Sequence, residues 1–313
     1  MENKALPFAI EKLGAAFAAR DWAYLDVPSG SPKEKTYAWP GGENEEIMIC
    51  VHKGPRIQEL FHRQDFFFFN FAYKGDYGAI SYRYDNHITV REGECYIGQP
   101  HAGYALYADG EDEIIIVGVL IRKDTFFRAF LPTLSADEKL FRFFLDPQTN
   151  EYSEEFIHLR FDDGLCVRTL LEMMVVEYAQ PQSDTQAILR PLVLTLFMLV
   201  ARQYKKSAPQ PKDESLSAKV IRYMNEHPDA TSLKDIAAQF SYHPNYISSV
   251  LHKQTGKTFS ELLLQQRMER AEILLKATDL SVEEIAAMLG YNDASNFYKA
   301  FKDYFGTSPR KLG

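Results

Sequence analysis

The sequence predicts an α+β chain of two domains. An N-terminal β-barrel or sandwich with a helical region after it precedes a C-terminal all-helical domain. Three observations predict this. Between Glu45 and Arg122, short β-type segments follow one another at close spacing, broken by Gly, Asp and Asn. Beyond "KKSAPQPKDES", Lys205 to Ser215, the apolar period becomes wholly helical. That helical part holds the same helix–turn–helix pattern twice.

The β segments are "EEIMICVH", "DFFFFNFAY", "YGAISYRY", "HITV", "CYIG" and "EIIIVGVLI". Many short strands at such spacing predict a barrel or a sandwich. In "AISYRYD", Ser81 and Arg83 share one face while Ile80, Tyr82 and Tyr84 share the other. Either face, turned inward, offers a charged handle or two phenols to a small molecule. Phe126 to Tyr204 reads as helical. Its best helices are "LLEMMVVEYA" and "AILRPLVLTLFMLVARQY", with Pro191 at a first turn or a kink. The second is apolar around more than one face, which predicts a homodimer contact between Leu165 and Tyr204. The expected domains are residues 1–204, a linker at 205–215, and residues 216–313.

In "SLKDIAAQF", Leu233, Ile236, Ala237 and Phe240 fall at i, i+3, i+4, i+7. Val282, Ile285, Ala286 and Leu289 repeat that spacing in "SVEEIAAML". Ser232 with Asp235, and Ser281 with Glu284, resemble capping boxes, Asp235 being a short stand-in for Glu. A turn follows, "SYHP" in one copy and "GYND" in the other, and then a second helix. Gly256 and Gly306 stand where those second helices should stop. Ser260 to Lys276 joins the copies as one helix, with Leu264, Met268, Ala271 and Leu275 on one face. At 1.5 Å per residue it spans about 25 Å, enough to set two reading helices about one DNA turn apart.

Composition bounds the function without choosing it. A formal charge of −8 does not advertise a nucleic-acid partner, but the charge is uneven. From Lys212 onward 13 basic and 13 acidic residues cancel, so the deficit belongs to the rest. Cys50, Cys95 and Cys166 are far apart and form no metal-type pair, which predicts free thiols in a reducing compartment. There is no signal-peptide pattern, and the apolar run Leu192 to Ala201 is too short to span a bilayer. The expectation is a cytoplasmic protein with no membrane partner.

"RMERAEILLKATDLSVEEIAAMLGYNDASNFYKAFKDYFGTSPRKL" resembles the C-terminal signature of AraC/XylS-family transcription regulators. "SLKDIAAQFSYHPNYISSVLHKQTGKTFSELL" resembles that family's first motif. The likeness covers about the last hundred residues. It departs at Gly313, where an Arg often follows the Pro segment. The resemblance implies a sequence-specific regulator of promoter DNA, an activator with RNA polymerase as a further partner. In the second reading helix Phe297, Phe301 and Tyr304 are the expected buried stripe. Ser295, Asn296, Tyr298, Lys299 and Lys302 are left to face DNA. Asn reads adenine and Lys reaches guanine or phosphate. In the first copy the equivalent positions are Asn245, Ser248, Ser249, His252 and Lys253.

Chains of this layout carry a cupin-type barrel before the DNA-binding domain, and "HRQDFFFFNFAYKG" keeps the frame of the metal-binding cupin motif. Its positions are His62, Gln64, Phe68 and Gly75, with His101 in "GQPHAGY" as the downstream histidine. Gln64 and Phe68 replace a His and a Glu. Two histidines without a carboxylate are a poor divalent-ion site, so neither metal, cofactor nor catalytic residue is expected. The candidate effector contacts are His62, Gln64, Tyr82, Arg83, Tyr84 and His101, for a sugar or small organic compound. A cupin dioxygenase or isomerase fused to a DNA-binding module is the enzyme alternative. A constitutive regulator whose barrel only dimerises is the third.

Overall fold

A computed structural model describes residues 5–29, 35–81, 86–98, 101–131, 140, 143–144, 156–162, 164–207, 215–226, 232–278 and 280–311. The chain divides into two compact units, residues 1–126 with 150–208 and residues 127–149 with 209–313.

The first unit is a near-closed antiparallel barrel. Helix α1 (Ala5–Ala18) precedes strands β1 (Thr36–Tyr37), β2 (Ile47–Gln58), β3 (Arg63–Gln64), β4 (Phe67–Lys74) and β5 (Tyr77–Ser81). Then come β6 (Asn86–Val90), β7 (Glu94–Gly98), β8 (Tyr104–Ile121) and β9 (Phe156–Arg160). Strand β8 organises the sheet. It pairs with β2 on one edge and with β5 and then β4 on the other, and β7 and β9 continue beyond β4. Register places Tyr77, Ala79 and Ser81 inward, and Tyr77 and Ala79 join the core cluster with Met48, Phe68, Tyr96 and Tyr104. The Ser81 face is thus the inner one; Tyr82, Arg83 and Tyr84 lie outside the described residues.

Besides the two-residue strands β1 and β3, helix α1 and strand β9 were not legible as such. Helix α1 packs its buried Ala9, Ile10 and Leu13 against β2. Strand β9 interrupts the stretch from Phe126 to Tyr204 expected to be helical. It alternates, with Ile157 and Leu159 buried and His158 and Arg160 turned out, and it covers the free edge of β7. Five residues are too few for that period to outweigh the helical texture around them.

Helices α2 (Gly164–Ala179) and α3 (Thr185–Ser207) follow. Pro191 lies inside α3 rather than in its first turn. By length and composition α3 is the one helix among the described residues able to cross a membrane, longer than the Leu192 to Ala201 run suggests. One side is nevertheless buried through Leu189, Val193, Leu196, Phe197 and Val200, and Phe197 packs on Phe69 and Phe126. Leu165, Met173, Ile188 and Met198 are exposed on this pair of helices.

The second unit holds α4 (Leu216–Glu226), α5 (Leu233–Gln239), α6 (Pro244–Thr255), α7 (Phe259–Ala277), α8 (Val282–Met288) and α9 (Ala294–Phe305). The turns of the two copies share a backbone bond. The Tyr242 N–H donates to the Ala237 carbonyl at 2.9 Å, and that of Tyr291 to Ala286 at 3.0 Å. Ser281 and Glu284 form the full reciprocal box, and the Ser281 bonds hold the Glu284 carboxyl below its usual range. Ser232 accepts from the Asp235 N–H alone, because the Asp side chain is one methylene short of the return bond. A further full box, Thr258 with Glu261, starts α7 just before the expected Ser260. Gly256 and Gly306 end α6 and α9 in the left-handed conformation, φ 73° and 71°.

The two turns need a positive φ at the same place. The second uses Gly290 (φ 79°); the first uses Ser241 (φ 57°). An L-residue there is strained, and glycine is not. Ser241→Gly should therefore raise the stability of the helical unit by about 0.5–1 kcal/mol in thermal unfolding. A lower midpoint would mean that the hydroxyl of Ser241 contributes more than the strain costs.

Candidate nucleic-acid interface and barrel cavity

Each second helix buries one narrow stripe. In α6 it is Ile247 and Leu251, and in α9 it is Phe297 and Phe301. Tyr304 keeps that stripe's spacing, seven residues after Phe297 and three after Phe301, yet is 42% exposed: it stands in the last turn of α9, one residue before the helix ends at Phe305. The opposite arcs are Asn245, Ser249, His252 and Lys253 in α6, and Ser295, Lys299 and Lys302 in α9 with Asn296 beside them; all are exposed. Ser248 and Tyr298 are half-buried at the edges. The structure thus brings each set onto one surface of its own helix. Both helices begin on a side-chain cap, His243 accepting from the Asn245 N–H at 3.3 Å and Asp293 from Ser295 at 2.7 Å.

Two features of these surfaces were missed. Tyr242 and Tyr246 stack at 5.1 Å and stand 47% and 51% exposed at the entrance of α6. Arg310 donates to the Tyr298 hydroxyl at 3.0 Å, placing a guanidinium beside α9. Only the proximity of "SPRKL" to the motif hinted at Arg310. In the second copy, Tyr291 is instead covered by Arg267, 5.2 Å above its ring, and packs on Phe297.

The barrel encloses a cavity of about 210 Å³. Its wall takes Phe17 from α1, Tyr37 from β1, Cys50 and His52 from β2, Gln64 from β3, Phe68 and Asn70 from β4 and Tyr104 from β8. Three positions of the cupin-like frame, His62, Gln64 and Phe68, all line it. Gln64 donates to the Tyr104 hydroxyl, and the Phe68 ring stacks on Tyr104 at 4.4 Å. Gly98 leaves room for that ring, since a Cβ there would sit 2.3 Å from Phe68. His101 is not in the wall. It turns at φ 63° and pairs its Nε2 with Asp65 at 3.0 Å. Among the described residues no three His, Cys, Asp or Glu side chains gather to hold a metal ion.

Sequence reasoning missed most of the wall, Tyr37, His52, Asn70 and Tyr104 among it, and with them its carboxylate, Glu59. One oxygen accepts the Leu106 N–H at 3.2 Å, and burial pushes its carboxyl up to about 7. The native state therefore holds a proton that the unfolded chain has released between about pH 4.5 and about pH 7. Stability should fall as pH rises through that window. Glu59→Gln should remove the fall and stabilise the protein by about 1–2 kcal/mol at pH 8, after discounting for water in the cavity. Unfolding midpoints at pH 5 and pH 8 test this; parallel curves for both proteins would refute it.

The model of the helix-turn-helix domain family matches residues 236–312. The chain is 30% identical over 149 residues to the Msm operon regulatory protein of Streptococcus mutans, covering 45% of this chain and 52% of that protein. It is 26% identical over 203 residues to the transcriptional activator RhaS of Klebsiella pneumoniae, covering 64% and 69%. A crystal structure of apo ToxT from Vibrio cholerae aligns with 86% of this chain and 97% of its own, at 16% identity and a TM-score of 0.39. The chain spans about half the length, or less, of the first relatives it matches. With the matched segment, the duplicated motif and its caps together, the chain carries a helix-turn-helix domain.

Proposed function

We propose that the chain is a transcription regulator of the AraC/XylS type that binds promoter DNA through α6 and α9 and a small-molecule effector in its barrel. The observation that carries the DNA reading is the repetition: two helices, each capped and each with an exposed polar arc, at corresponding places of one helical unit. The relatives named above are called regulators, which supports regulation over catalysis. The cavity supports an effector over a barrel that only dimerises, since such a barrel needs no hollow. A DNA partner supports a cytoplasmic location. Ile188 and Met198 on α3, with Leu165 and Met173 on α2, support a homodimer through those helices.

Full-length protein should bind DNA from its own promoter about a thousandfold more tightly than random duplex at physiological salt. Equal and weak binding to both would sink the regulator reading. Ile188→Glu with Met198→Glu should turn a dimer into a monomer on sizing at micromolar concentration. A wild type that is already monomeric there removes this interface.

A further inference from the structure

We propose that the barrel cavity selects a small organic ammonium ion over carboxylic acids and neutral polyols. This rests on the effector reading and names the ligand class for that site.

Charge favours a cation. Among the described residues of the wall, Glu59 is the only carboxylate and there is no lysine or arginine. Beyond the wall, Arg20 and Glu45 act on Cys50 with opposite signs, and Arg20 donates to the Pro40 carbonyl. An acid entering this cavity would meet a carboxylate and no cation to pair with.

The neutral polar groups favour the same partner. His62 Nδ1 lies 2.8 Å from the Leu60 carbonyl, which can only accept, so this nitrogen carries the proton. Burial lowers the pKa of the ring, keeping it neutral, and Nε2 is left as an acceptor. Burial keeps His52 neutral too, so it brings no positive charge to the wall. The lone pair on His62 Nε2 suits a positive charge and would repel a carboxylate.

The rings complete the cage. Phe17, Trp22, Tyr37, His62 and Tyr104 follow one another at centroid distances of 5.7, 5.5, 4.8 and 4.7 Å, and Phe68 stacks beyond. Aromatic faces attract a desolvated cation, and a quaternary ammonium most plainly. About 210 Å³ is room enough for a molecule of the size of choline.

A polyol could also stack and donate, so pH separates the two. Glu59 is the only facing group that titrates near neutrality. Burial lowers His52 and His62, holds Tyr37 and Cys50 at about 12, and raises Tyr104 far above its usual value. A cation must ionise Glu59, so its affinity rises from about pH 6 to about pH 8, whereas that of a polyol does not.

The test titrates the full-length chain with choline, with tert-butylethanol (carbon in place of the nitrogen), with tert-butylacetic acid and with xylitol. Choline is expected to bind about tenfold more tightly than tert-butylethanol at pH 8, with a smaller gap at pH 6. Glu59→Gln should narrow the gap to what the rings supply and remove its change between pH 6 and pH 8. Should that variant not fold, the comparison on the unaltered protein decides alone. Equal affinities for choline and its neutral analogue, or tighter binding of the acid or of xylitol, overturn the cation assignment and leave the effector reading standing. Binding of none of the four overturns the assignment and counts against the cavity as an effector site.

Discussion

Phe297→Ala should cost the C-terminal helical unit about 3–5 kcal/mol and abolish DNA binding, while the barrel unit still melts as before. Phe297 is fully buried. Its ring meets Tyr291 at 5.4 Å and Phe301 at 5.6 Å, so truncation removes the transfer energy of a phenyl ring and leaves a cavity that those rings cannot close without breaking their own contacts. The loss is comparable to the whole stability of a domain of this size. Tyr304→Ala is the matched control. It also removes an aromatic ring from α9, but one that is 42% exposed, and should cost less than about 1 kcal/mol. Circular dichroism melts of both variants beside the parent measure the difference. Similar losses for the two would mean that the stripe runs through Tyr304 after all, and that α9 sits on its neighbours differently.

The helical unit was legible because its signals are short in sequence. Ser281 and Glu284 are three apart, Gly256 and Gly306 each close the helix just before them, and Ile285 and Ala286 belong to one stripe. Each signal acts within one or two turns, so a linear reading finds it, and duplication confirms each copy by the other. The strands β4 to β7 were legible for the same reason, whereas β2 runs on to Gln58 and β8 starts back at Tyr104, beyond the segments the local pattern marks. The cavity was not. Its wall brings Phe17 together with Glu59, Tyr104 and Leu120, residues up to a hundred positions apart, and no local period connects them. Glu59 follows "RIQ" at the end of β2 like any solvent-facing residue. It becomes a wall residue only because β2 pairs with β8, Ile57 opposite Ala108, and so meets the Leu106 amide. His101 shows the converse. Its spacing from His62 suggested a shared site, but a left-handed backbone turns its ring onto Asp65.

Asn245→Ala with Ser249→Ala should weaken binding to the native operator by about 2–4 kcal/mol while leaving random duplex nearly unchanged; Lys302→Ala should weaken both alike. The difference follows from what stands on the two arcs. On α6, Asn245 and Ser249 are one turn apart, exposed, and followed by a single lysine, Lys253. An amide and a hydroxyl satisfy particular base edges, each good contact being worth about 1–3 kcal/mol of discrimination, and supply little attraction to phosphate. On α9 the corresponding arc holds Lys299 and Lys302, with Arg310 held close by Tyr298. Such cations neutralise phosphates wherever they lie. Each phosphate deprived of its cation lowers the slope of log affinity against log salt by about one, whatever the sequence. The C-terminal segment has no net charge to spare, with 13 basic against 13 acidic residues from Lys212 onward, so one lysine fewer should show clearly in that slope. Neither of the first two residues makes a side-chain bond within α6: Asn245 uses only its backbone N–H, on His243. Their replacement therefore leaves the fold intact and reports on the interface alone. The decisive measurement is a salt titration on both DNAs for each variant. Parallel weakening on operator and random DNA from the Asn245/Ser249 pair would show that α6 does not read bases, and would move sequence recognition to α9 or to the shape of the duplex.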